Sequence, residues 1–140
     1  MARFCVIFCI IMLTLSCASS HATRTHASHK AQTIATGTWG GEHVRVEVSK
    51  TGAEVEFDCA HGQITQPIAL DKRGNFDVSG TFTPEHGGPI RRDETPPSNP
   101  ARYSGHATGD TMDLAVTREK ENLGSFTLTR GSQGTLMKCR

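Results

Sequence analysis

Charge of one sign is what this sequence has least of: 15 Lys and Arg face 14 Asp and Glu over 140 residues. No summed field would hold such a chain on a phosphate backbone, so nucleic acid is not an expected partner. The length leaves no room for a second domain, since one core commonly takes about 100 to 200 residues. Leu-rich runs of helical length are missing, whereas 14 Gly and abundant Thr and Val favour strands and turns. Enzyme signatures are missing too: there is no Gly-x-Ser-x-Gly elbow, no His-Glu-x-x-His pair and no phosphate-cradling loop. No catalytic residue is assigned and no cofactor is expected.

Cysteine is scarce where the domain folds. Residues 1–17 read as an export signal, with Arg3 ahead of an apolar run over residues 4–15 that is too short to cross a bilayer as a mature helix. Two exits from the signal remain open. Ser20, His21 and Ala22 form a small-x-small cleavage site, extending the signal to residue 22. Leu13-Thr14-Leu15-Ser16-Cys17 resembles the lipobox of bacterial lipoproteins, which implies acylation of Cys17 and a lipid anchor as the chain's only membrane attachment. Cys5 and Cys9 leave with the signal under either exit. Cys59 and Cys139 then remain, and an oxidising compartment would pair them. The expected location is the periplasm, the cell envelope as a lipoprotein, or the medium.

Residues 18–36 are small and polar and read as a disordered tether, with His21, His26 and His29 in a solvated linker. The single β domain is expected over 37–140. Val44, Val46 and Val48 alternate with polar residues, as do Val55, Phe57 and Cys59, with Thr51-Gly52 between them. Ile64, Ile68 and Leu70 continue as a third strand, and Phe76, Val78, Gly80 and Phe82 line a fourth. Residues 101–108 form a fifth around Tyr103. Met112, Leu114 and Val116 mark a sixth, Phe126 and Leu128 a seventh, and residues 136–139 an eighth. Eight short strands joined mostly by tight turns predict an all-β, antiparallel up-and-down barrel, with a β-sandwich as the alternative.

In such a meander alternate turns share an end. One end gathers Gly40, Gly41, Glu42, His43, Cys59, His61, the segment 84–100 and Cys139, which brings the two cysteines together. The segment 84–100 is long for a loop and stiffened by proline, so it is the expected binding surface. The candidate binding residues are Trp39, His43, His61, His86, Arg91 and Arg92. Three histidines with Glu42 and Glu85 nearby have the chemistry to hold zinc, but they come from three separate segments and no metal site is favoured. Arg91 and Arg92 could fork onto a carboxylate or phosphate, although Asp93 and Glu94 beside them can neutralise them locally.

Gly37-Thr38-Trp39-Gly40-Gly41, Glu56-Phe57-Asp58-Cys59-Ala60-His61-Gly62 and Pro84-Glu85-His86-Gly87-Gly88-Pro89 together resemble an uncharacterised family of small secreted bacterial proteins. That likeness implies one exported domain and no particular chemistry. Gly37-Thr38-Trp39 also resembles the opening strand of calycin barrels, the lipocalin and avidin-like proteins. The resemblance implies a Trp39 ring that plugs one barrel end beneath a cation from the last strand, for which Lys138 and Arg140 are candidates. The expected function is a non-enzymatic extracytoplasmic binding module for a small ligand or an envelope protein, including an inhibitor-like protein. A metal-dependent or His-based enzyme is the alternative.

Overall fold

The computed structural model describes residues 32–88 and 96–139. Ten strands follow one another: β1 (Gln32–Thr33), β2 (Gly37–Gly41), β3 (Val44–Val48), β4 (Ala53–Phe57), β5 (Ala60–Ile64), β6 (Ala69–Leu70), β7 (Asn75–Pro84), β8 (Asn99–Thr108), β9 (Thr111–Arg118) and β10 (Glu121–Arg130). Eight of them close into an antiparallel barrel in the order β10-β2-β3-β4-β5-β7-β8-β9, while β1 and β6 pair separately. The closed wall excludes a β-sandwich. Cys59 and Cys139 form a disulfide with their Cα atoms 5.3 Å apart.

Period-two sequence dictates this wall. Val44, Val46 and Val48 on β3 face Val55, Phe57 and Ala53 on β4 inside the barrel, while Arg45, Glu47, Glu54 and Glu56 face out. The outer face is charged and the inner face apolar, the reverse of a barrel built to face lipid. Tyr103, wholly buried, fills the middle of the barrel and donates its hydroxyl to the Thr81 carbonyl at 2.6 Å. Gly62 on β5 and Gly80 on β7 make room for it, because a Cβ on either would fall on the Tyr103 side chain.

The strand count agrees with expectation while its membership does not. Gly37–Gly41 is a wall strand in its own right, paired with both β3 and β10. Its three glycines have no side chains to display an alternation, so the sequence pattern hides it. Residues 136–139 form no strand; the C-terminal tail touches the sheet through one parallel bridge, Thr135 to Glu42. Ile68 and Leu70 lie outside the wall. Ile68 is buried beneath a cap made by β1, β6 and Ile34, whose N–H donates to the Ile68 carbonyl at 3.0 Å. Residues before Gly37 thus belong to the folded domain: Gln32–Thr33 forms a strand and Ile34 is buried. The signal, Cys17 and residues 18–31 lie outside the described residues.

The two barrel ends differ. At the base, Trp39 is 1 % exposed and donates its indole N–H to the Ala35 carbonyl at 2.9 Å, beside the Ile34 and Ile68 cap. The register sets Trp39 against Arg130 of β10, whose guanidinium donates to the Thr36 carbonyl at 3.3 Å. Lys138 reaches instead to the Phe57 carbonyl, 3.4 Å away at the other end, and Arg140 lies outside the described residues. That other end, the mouth, carries the turns at residues 42–43, 58–59 and 119–120, the segment after Pro84, and the disulfide.

Candidate functional site

The mouth is apolar at its centre. Phe57 ends β4, Phe82 lies near the end of β7, Leu123 lies near the start of β10 and Phe126 at its middle. Leu123 thus lies beyond Phe126 toward the β9 to β10 turn, and among the described residues no further apolar layer covers these side chains. The Phe57 ring centroid is 5.5 Å from both Phe82 and Phe126, in tilted contacts typical of favourable aromatic pairs. Phe57 is buried, while Phe82, Leu123 and Phe126 are only partly so. A depression of about 230 Å³ opens between them, edged by His43 and Asp58. That is room for one large apolar side chain or a small ring, not for a ligand deep in a barrel already filled by Tyr103 and Trp39.

The polar edge is tied together by one carboxylate. Asp58, in the β4 to β5 turn, accepts the Met137 N–H at 2.8 Å through Oδ1 and meets His43 Nδ1 at 2.6 Å through Oδ2. It thereby joins the β2 to β3 turn, the β4 to β5 turn and the C-terminal tail. The Met137 amide, and behind it the His43 ring, hold the Asp58 carboxyl below its usual pKa against an opposing desolvation. His43 itself has φ of 67°, the left-handed region that side chains other than glycine seldom adopt. The second nitrogen of its ring is 3.4 Å from Glu42, so carboxylates flank it on both sides.

The other sequence candidates scatter. His61 lies on the outer face of β5 with Nδ1 2.7 Å from Glu85. This pair belongs to a polar groove of about 620 Å³ that also takes in Glu54, Pro96, Ser98 and Lys138. His86 is exposed, with its ring 3.1 Å from the Gly87 carbonyl. Trp39 is inside the barrel, toward the base. Arg91 and Arg92 lie outside the described residues. Among the described residues no three His, Cys, Asp or Glu side chains gather as a metal-binding group. A further outer groove of about 870 Å³ crosses β8 and β9, where Arg118 pairs with Glu121 and Arg102 with Asp77.

Sequence reasoning thus brings His43, His61 and the two cysteines to one end but does not mark the aromatics there. Phe57 and Phe82 could have been found, because each is the final inward residue before a turn assigned to that end. Leu123 could not: β10 bulges between Asn122 and Gly124, and the extra residue breaks the alternation that would have marked it. No family model matches the chain, and neither curated proteins nor solved structures give a match.

Proposed function

We propose that this chain is an exported, non-enzymatic binding module that seats an apolar group of a small ligand or protein partner in the mouth of its barrel. One observation carries the reading: Phe82, Leu123 and Phe126 stay partly exposed around a depression that no other described residue closes, whereas the base is sealed by Trp39, Ile34 and Ile68. A few convergent polar groups around an apolar pocket are what recognition sites commonly offer. His43 and Asp58 supply them here. The disulfide supports an oxidising compartment outside the cytoplasm. With a protein as partner, the module would act as an envelope protein of the inhibitor kind.

An apolar naphthalene fluorophore tests this. The wild-type protein binds it with enhanced emission, and Phe126→Ala weakens binding by about tenfold, the loss expected when one aromatic wall of a small pocket is removed. Binding unchanged by both Phe126→Ala and Leu123→Ala would overturn the reading.

A further inference from the structure

The barrel closes along only part of its height. β10 pairs with β9 from Glu121 to Thr129, but with β2 only through Thr129 and Arg130. Backbone direction alternates along a strand, and two bonds fix the phase: Arg130 N–H donates toward β9, to Asp110, and Gly131 N–H toward β2, to Thr38. Thr127 and Ser125 therefore turn their N–H and C=O groups toward the β2 side. Gly41 closes against the Thr127 carbonyl. Above it, among the described residues, Ser125 and the stretch back to Glu121 have no strand beside them on that edge. The open edge runs into the mouth, because Leu123 and Phe126 belong to both.

From this edge we infer that the partner is a short extended polypeptide segment, which adds a strand beside residues 121–126 of β10 and sends one apolar side chain into the Phe57, Phe82 and Phe126 depression. The inference rests on the mouth reading above and names the class of its occupant. An extended backbone is the chemistry that satisfies a row of alternating donors and acceptors, as in recognition by strand addition. Shape favours a short segment over a second copy of this barrel, since the edge is shut at Thr127 by β2 and is bulged at Leu123. Charge selects further. Among the described residues at the hairpin ends flanking the edge, Glu42, Asp58, Glu119 and Glu121 outnumber Lys120 and Arg118, the latter paired with Glu121, while Lys138 is turned onto the Phe57 carbonyl. The complementary segment is basic beside its apolar residue.

The probe is a capped seven-residue peptide of alternating valine and threonine with a central phenylalanine and a lysine at each end. It is titrated by nuclear magnetic resonance into the protein with its disulfide intact. Binding in the range of about 10 µM to 1 mM is expected for so small an interface, with slowed exchange at the Ser125 amide. Methylating the alternate peptide nitrogens that face β10 weakens binding at least about tenfold, as does Ser125→Pro, which removes an N–H that β9 does not use. The N-methylated peptide keeps the test decisive should the proline variant fail to fold. Equal binding of both peptides, or no binding at 5-fold above the upper end of that range (about 5 mM), overturns strand addition. So does dimerisation of the protein alone that Ser125→Pro abolishes, which would make a second copy the occupant. The naphthalene fluorophore separates the two levels: if it binds the mouth and the peptide does not, only the strand-addition inference falls; if neither binds, both fall.

Discussion

Tyr103 shows how closely single residues are matched inside this barrel. Its ring is buried, its hydroxyl is satisfied by the Thr81 carbonyl, and burial pushes its phenol pKa well above the ordinary value. Tyr103→Phe leaves that arrangement one hydrogen bond short and costs about 1 kcal/mol. Gly62→Ala drives a methyl group into the same hydroxyl and costs about 1 to 3 kcal/mol by overpacking. The two changes share an atom, so the double variant loses less than their sum when denaturant unfolding is measured for all four proteins. Asp58 governs a different property. Its carboxyl pKa is lowered in the folded protein from 3.8, chiefly by the Met137 amide, so the stabilisation it confers is present above that value and is lost as pH falls through the lower folded one. Asp71 and Asp77 are shifted the same way by Asn75 and Arg102 respectively. Asp58→Asn therefore makes the fall in stability below about pH 4 shallower without abolishing it, as acid unfolding monitored by circular dichroism will show.

At the level of elements, the C-terminal tail replaces the strand the sequence appeared to offer. It runs up the outer face of β2, with Gly131 N–H on the Thr38 carbonyl, Thr135 N–H on the Gly41 carbonyl and His43 N–H on the Thr135 carbonyl, before the disulfide fixes it to the β4 to β5 turn. Gly40 permits this contact because a Cβ there would strike the tail backbone at Gly134. The cysteines span 80 residues, a separation for which loop-closure entropy gives about 4 to 5 kcal/mol. Reduction should lower stability by up to that amount, and hydrogen exchange should quicken first at His43, Thr135 and Met137. Alternation made β3, β4, β7, β8 and β9 legible from sequence, since each carries apolar residues two apart. It failed at β2, whose glycines carry no signal, and at Ile68, where the apolar residue serves a cap instead of the wall. Ile34→Ala tests that cap: the residue is 4 % exposed, and truncation should cost about 2 to 4 kcal/mol.

For the molecule as a whole, connectivity was more informative than composition. Hairpin parity sends Cys59, His43 and His61 to one end, whereas Cys139 arrives there by another route: β10 ends at the base beside Trp39, and the C-terminal tail carries the chain back to the mouth. The mouth stayed hidden because its aromatics look in sequence like any inward residues; only their partial exposure among the described residues makes them a surface. The central claim is that recognition happens at that end and not at the base or in the outer grooves. Mapping amide and aromatic-ring resonances of the isotope-labelled protein against an apolar probe tests it most directly. Shifts confined to Phe57, Phe82, Leu123, Phe126, His43 and Asp58, with the Trp39 indole undisturbed, are the predicted result. Shifts centred on Trp39, Ile34 and Ile68, or on the Arg102 and Arg118 groove, would contradict it.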